Sequence, residues 1–492
     1  MTRIKTILDP HIVPRGRLLP IPRAHQCEFL LNIGLFFDGT DNNMTFHPDP
    51  NTNTNVVRLW GVYRDLPDQG YFRHYISGVG TPFSEVDQTE AEMEFTAGAT
   101  GAGGESRIIF GLLQLVNSVF RFTHQGKAEL WGKAERAALC SYDTVPRRPR
   151  PNTELSTPAL TAHQKILKRL GRSTSLVDIG EDARREFFSE VSRQLRTLVT
   201  SGETRPRISA IYIDVFGFSR GAAQARVFVN WLIDLLMPND DLFGVPAAVR
   251  TLGLFDSVAS VGATDALHLD ALKFGNVKWE AATGTGHGDW ATPANLKINA
   301  RVQRCFHVAA LHELRSNFPF ESVASPDGKL PSNCEEVICP GVHSDVGGGY
   351  APGEQGKAAF LVPLDPRIPD GGRKAIVDDQ LKLSNLPLNW MYDAATQHCS
   401  AHPFSPWLEL RSAEGTRVDL PSRFGLARLP ETRKAVAAYF EDTKTPDLTN
   451  VRDAMRAHGL RYLSWRYSVT KRNGFEKLAK RRASPHLRRP RP

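Results

Sequence analysis

The sequence predicts an α/β fold in which a mainly parallel sheet is flanked by helices. Three observations carry this. Apolar runs at Cys27–Phe37, Ile211–Phe216 and Val249–Phe255 have the length and the branched or aromatic character of strands buried on both faces. Longer, largely apolar segments at Arg107–Phe122 and Ala222–Met237 read as helices. The two kinds alternate along the chain, which is the order that builds parallel sheets from βαβ units.

In chain order, residues 1–27 form a proline-rich leader, basic but without a continuous apolar segment or a small-residue cleavage site, so no Sec signal is expected and export would need another route. Cys27–Phe37 is the first strand and feeds the loop "DGTDNN"; Tyr71–Val79 is a second strand. The stretch "AGATGAGGE", residues 97–105, is expected to be a mobile loop rather than a phosphate cradle, because no Lys-Ser/Thr follows its glycines. After the helix at Arg107–Phe122, Thr144–Pro158 is linker-like. The charged helices that follow, Asp182–Thr200 among them, make an insertion of about 144–205 between core strands. Ile211–Phe216, the helix Ala222–Met237 and the strand Val249–Phe255 come next, then strands at Val302–Ala310 and Glu335–Cys339, the loop "PGVHSDVGGGY" and a helix at Leu386–His398. Residues 401–492 carry no repeat and no motif.

Composition narrows the class. The 492 residues are 41% hydrophobic and 23% charged, as in soluble globular proteins, and no apolar run reaches the 18 or so residues that span a bilayer. The best candidate, Val227–Met237, is short and holds Asn230 and Asp234. The net charge of +8 resides entirely in residues 471–492, with nine Lys/Arg against Glu476, which reads as a solvated tail or one drawn to anionic lipid headgroups; no nucleic-acid partner is expected. Six cysteines (Cys27, Cys140, Cys305, Cys334, Cys339, Cys399) form no C-x-x-C and read as reduced thiols, with a Cys334–Cys339 bridge left open.

The chemistry centres on "IYIDVFGFSRGAAQAR", residues 211–226. Gly-x-Ser-x-Gly alone is weak, arising by chance in roughly one in five chains of this length. Its setting is stronger: strand, sharp turn, helix, with Gly217 and Gly221 flanking Ser219 where a Cβ would strike a neighbouring element. A serine hydroxyl needs a base to take its proton and an acid to hold that base in one tautomer. Asp256 ends an apolar strand and His343 follows another, giving the order Ser219, Asp256, His343 with catalytic groups at strand ends. His343 is expected on a flexible, exposed glycine-rich loop. Asp345 is nearer in sequence but would have to fold back to meet the imidazole, so it is assigned to backbone hydrogen bonds of the loop.

Oxyanion stabilisation needs two aimed donors: the Arg220 N–H after the nucleophile, and either Gly39 or Thr40 from the "DGT" loop, which could equally be a simple Asp-Gly turn. Two other motifs fail on their own residues. The "DGT" of aspartyl-phosphate phosphatases needs an Asp at position 36, which is Phe, and the zinc-protease pattern begun at "HEL" 312–314 needs a His at 316, which is Ser. No metal or cofactor is required.

"FFDGTDNN", "VFGFSRGAAQAR", "GLFDSVAS", "ALHELRSNFPF", "CPGVHSDVGGGY" and "NWMYDAA", in this order over roughly 28–400, resemble the α/β-hydrolase domain of bacterial type VI secretion phospholipase effectors of the first lipase class. The resemblance implies an α/β-hydrolase-like catalytic domain over 28–400 and a Ser219-Asp256-His343 esterase acting on phospholipid acyl esters of a competitor's membrane. It also implies delivery by a type VI spike component to the target periplasm and a cognate immunity protein. Only about 90 residues follow the catalytic core here, fewer than the membrane-engaging region such effectors tend to carry. Two other readings remain at this stage: a hydrolase-fold scaffold module with a vestigial triad, and an esterase for non-lipid esters.

Overall fold

A computed structural model describes residues 5–11, 28–45, 52–83, 103–141, 175–177, 179–200, 207–259, 289–311, 313, 318, 320–325, 329–351, 359–363, 373–377, 382–397, 405–407, 433–434 and 436–437. The linker after 144, most of the glycine-rich stretch 97–105, most of the leader, Cys27, Cys399 and the basic tail lie outside the described residues.

The fold is α/β-hydrolase-like. Strands β1 (Glu28–Phe37), β2 (Tyr71–Ile76), β3 (Arg207–Phe218), β4 (Asp241–Leu242), β5 (Val245–Phe255), β6 (Arg304–Ala310) and β7 (Cys334–Cys339) form one sheet. Its order is β2-β1-β3-β5-β6-β7, every pair along that path parallel, with β4 turning antiparallel onto β5. The helices are α1 (Asn55–Val62), α2 (Gly104–Thr123), α3 (Lys133–Cys140), α4 (Glu181–Thr200), α5 (Arg220–Leu236), α6 (Pro293–Leu296), α7 (His343–Gly347) and α8 (Asn385–Thr396). A separate antiparallel pair joins β8 (Ala359–Pro363) to β9 (Arg373–Val377).

Alternation along each central strand sends successive side chains into two apolar layers. Leu31, Ile33, Leu35 and Phe37 of β1, with Ile211, Ile213 and Val215 of β3, face a layer that includes Ile109, Leu113 and Val116 of α2 and Val227 and Phe228 of α5. Phe36, Phe216 and Phe218 face the opposite layer, with Leu59 of α1, Met391 of α8 and Trp407. That layer also takes in Val436, so residues past 400 contribute to the core. The charged helix α4 is part of the first layer too, through Phe187, Phe188, Val191 and Leu195. A buried Arg184–Glu105 ion pair of 2.5 Å ties it to the start of α2.

Residues 5–11 cover the outer edge of β7. Ile7 N–H donates to Ile338 O at 2.9 Å, Ile338 N–H to Lys5 O at 3.1 Å, and Lys5 Nζ reaches Glu335 Oε1 at 3.0 Å. Cys334 and Cys339 stand at opposite ends of β7, about 17 Å apart at strand rise, far beyond the span of a disulfide. The bridge left open by the sequence is thereby excluded. Cys140, Cys305, Cys334 and Cys339 are free thiols, and burial pushes the Cys339 thiol well up.

Candidate active site

β3 ends at Phe218 and α5 starts at Arg220, so the chain reverses within Ser219 alone. Its backbone pays with φ 58° and ψ −127°, a left-handed conformation that a residue with a Cβ adopts only under constraint. The flanking glycines create the room: a Cβ at Gly217 would stand 2.4 Å from Gly221 O, and one at Gly221 would stand 2.3 Å from Asp38 O. The turn is pinned to the next strand by Ser219 N–H to Phe255 O at 3.0 Å and Val258 N–H to Ser219 O at 3.1 Å.

Asp256, the residue after β5, also has positive φ, at 39°. Its N–H donates to Val308 O at 2.8 Å, and its Oδ1 accepts the Ala310 N–H at 3.0 Å. Its Oδ2 lies 2.6 Å from His343 Nδ1. A carboxylate only accepts, so the imidazole proton sits on Nδ1 and the Nε2 lone pair is presented on the far side of the ring. The His343 ring lies against Phe218, centroids 4.6 Å apart, beside the residue that precedes Ser219, and edge-on to Phe318 at 4.8 Å. Ser219, Asp256 and His343 are all buried.

The expected exposed loop around His343 is instead the short buried helix α7, and His343 opens it. Asp345 is the reason: its Oδ2 accepts the Val342 N–H at 2.9 Å and its own N–H donates to Val342 O at 2.8 Å, which closes the first turn. Gly348 and Gly349, at φ 77° and 101°, end the helix. Glu313 was not anticipated. Its Oε2 accepts the His343 N–H at 3.0 Å, satisfying a helix-start donor and fixing where the imidazole begins.

The "DGT" loop is organised by Asp38, which is buried and accepts from Thr54 Oγ1 at 2.7 Å, Tyr75 Oη at 2.7 Å and Gly39 N–H at 2.8 Å. Burial, then the Asp38 charge, pushes the Tyr75 phenol well above its ordinary value, so it remains a donor. Gly39 N–H is engaged by that carboxylate. The Arg220 guanidinium donates to Thr40 Oγ1 at 3.0 Å, joining this loop to the start of α5. Burial lowers the Arg220 pKa and Asp41 opposes the shift.

Among the described residues no group of three or more His, Cys, Asp or Glu is placed to hold a metal ion, and no helix is long and apolar enough to cross a membrane.

Residues 237–394 match the family model described as T6SS, phospholipase effector Tle1-like, catalytic domain. The match holds Asp256 and His343 and begins after Ser219. No curated protein matches the chain. Among solved structures, an uncharacterised protein from Pseudomonas aeruginosa is 26% identical with a TM-score of 0.57, over 88% of this chain and 53% of that one, so the chain spans about half the length of this relative. The Tle1 effector bound to the VgrG spike from the type 6 secretion system is 18% identical with a TM-score of 0.35, over 88% of this chain and 83% of that one. Residues 237–394 are thus similar to the catalytic domain of the Tle1-like phospholipase effectors of type VI secretion.

Proposed function

We propose that the chain is a serine esterase that cleaves phospholipid acyl esters, its catalytic unit spanning about 28–400. The observation that carries the reading is the 2.6 Å contact between His343 Nδ1 and Asp256 Oδ2, held beside the strained turn at Ser219. In this mechanism Ser219 Oγ attacks the acyl carbonyl while its proton passes to His343 Nε2, and Asp256 stabilises the imidazolium. The oxyanion is met by the Arg220 N–H at the positive end of α5 and by a donor of the "DGT" loop. Thr40 suits that role better than Gly39, whose N–H already donates to Asp38. The tetrahedral adduct collapses as His343 returns its proton to the departing lysolipid oxygen. Water, deprotonated by the same base, then releases the fatty acid from Ser219.

The family match supports a lipid substrate and delivery by type VI secretion. A spike component as carrier, an immunity protein in the producing cell and the target periplasm as the place of action belong to the same proposal. Wild type and Ser219→Ala are to be incubated with phosphatidylglycerol and phosphatidylethanolamine vesicles, and the products identified by mass spectrometry. Fatty acid and lysolipid from wild type alone, with fluorophosphonate labelling of wild type alone, is the expected result. Equal product from Ser219→Ala overturns the mechanism, and hydrolysis of soluble esters without any lipid product overturns the substrate.

A further inference from the structure

A second buried histidine–carboxylate pair lies one strand beyond the first. His307, on β6, is fully buried, and its Nδ1 is 2.9 Å from Glu336 Oε2 on β7. Its Nε2 accepts the Ser257 N–H at 3.1 Å. These two contacts fix the tautomer: Nδ1 carries the proton and donates to Glu336, and Nε2 must keep its lone pair for the backbone. Phe320 stacks on the ring at 5.3 Å and 14°, and Glu336 is held by Ser322 Oγ and the Val323 N–H.

The bonded peptide is the one between Asp256 and Ser257, immediately after a residue whose φ is positive. That conformation turns the Ser257 N–H away from the strand ladder toward the β6 side chain. Without an acceptor there, a buried N–H would be stranded, and the peptide would rotate to find one. Asp256 hangs on the same strand, its N–H donating to Val308 O and its Oδ1 accepting the Ala310 N–H, so a shift of this peptide against β6 disturbs the frame that holds the carboxylate.

We propose that His307 and Glu336 are positioning residues that hold the Asp256 carboxylate in line with His343. The inference rests on the reading of Asp256 as the orienting acid. It gives the two histidines opposite tasks: His343 exchanges protons, whereas His307 holds a backbone N–H on its Nε2.

Two substitutions separate the contacts of the ring. His307→Gln can set an amide oxygen near the Nε2 position and keep an acceptor for Ser257, while losing the link to Glu336. His307→Asn can set an amide N–H near the Nδ1 position and keep Glu336, while losing the acceptor. Both are compared with wild type, Ser219→Ala and Glu336→Gln on a soluble short-chain ester, rates being divided by sites titrated with a fluorophosphonate so that unfolded protein does not count, and by protein concentration for Ser219→Ala, which has no site to titrate. A displacement near 1 Å costs about 10²-fold in turnover, so His307→Asn is expected to lose about that much and His307→Gln less than about 10-fold.

The acid limb of kcat/KM, which reports the imidazole of the free enzyme, is expected to move to lower pH in His307→Asn. Glu336→Gln should move it the same way by less, because His343 has lost part of its anion in each. The carboxylates facing His343, Asp256 at the ring and Glu313 at the backbone, are retained in every His307 and Glu336 variant. Equal per-site losses in the two His307 variants, or an acid limb unmoved in both His307→Asn and Glu336→Gln, overturns the proposal. Retained hydrolysis in Ser219→Ala would instead overturn the esterase reading itself.

Discussion

Replacing Asp256 by Asn tests the assignment of the orienting acid, and the structure dictates how the amide would sit. Oδ1 accepts the Ala310 N–H at 3.0 Å and Oδ2 faces His343 Nδ1 at 2.6 Å. An Asn at this place keeps its oxygen on the Ala310 donor and turns its NH2 toward His343. The imidazole must then accept at Nδ1 and carry its proton on Nε2, where it cannot take a proton from Ser219. The flipped amide restores the tautomer but sets NH2 against the Ala310 N–H, at a cost of about 1–3 kcal/mol, or about 5- to 150-fold in population. Even the flipped form lacks the anion that stabilises the imidazolium. The combined loss is expected at about 10³–10⁴-fold in kcat, similar to the loss known for the same change in a serine-protease triad. Asp345→Asn is the control: its carboxylate closes the first turn of α7, so it should lower stability by about 1 kcal/mol and turnover by far less. Hydrolysis of p-nitrophenyl butyrate per fluorophosphonate-titrated site, with circular dichroism to confirm folding, measures both. A folded Asp256→Asn protein within tenfold of wild type, or a larger loss in Asp345→Asn, refutes the reasoning.

Two further outcomes follow from the packing. Gly221→Ala places a Cβ 2.3 Å from Asp38 O and 2.4 Å from Phe37 O, both backbone atoms, so a cost above about 4 kcal/mol is expected, read as the loss of a cooperative thermal transition. A melt within 5 °C or so of wild type would contradict the close approach. His74 is half-buried, its pKa lowered from 6.5 to about 4 by loss of solvent, then Arg136 and Arg121, with Nε2 2.7 Å from Ser118 Oγ. The unfolded chain binds its proton more tightly, so its contribution is intact above pH 6.5 and drains away as pH falls toward 4, about 3 kcal/mol in all. Urea midpoints should fall across that window and fall less steeply in His74→Gln; parallel slopes would remove His74 as the cause.

The central strands were legible because β1, β3 and β5 are apolar on both faces and need no partner to be recognised. Ser219 was legible because the elbow demands glycine at two fixed places. Strand ends were less so: Tyr71–Val79 stops at Ile76 because Gly78 lies against the Gly39 carbonyl, a contact between segments far apart in sequence. The helix α7 was missed because three glycines after His343 read as a loop, while the device that winds it is the Asp345 carboxylate, which local pattern does not announce. α1 was missed for its shortness, at eight residues, and most of its face is set by tertiary burial. His307 and Glu336 carry no motif of their own, and the motifs that hold Asp38 and Glu313 do not announce what those carboxylates bind. Each matters through hydrogen bonds to backbone groups or side chains brought near by the fold.

The edge of β7 is covered by a segment some 330 residues earlier in the chain, as the Lys5–Glu335 contact marks. At about 5–20 residues per second of synthesis, residues 5–11 leave the ribosome roughly 15–65 s before the strand they will border exists. Over that interval Ile7, buried in the finished molecule, has no native apolar surface to enter. The edge therefore closes with a segment made long before it, and until it does, β7 offers an open row of hydrogen-bonding groups to whatever strand is nearest. A second nascent copy supplying residues 5–11 could satisfy that row equally well, so crowded synthesis on one messenger would favour dimers that exchange this segment. Such dimers would carry the same hydrogen bonds as the monomer and differ only in which chain provides them.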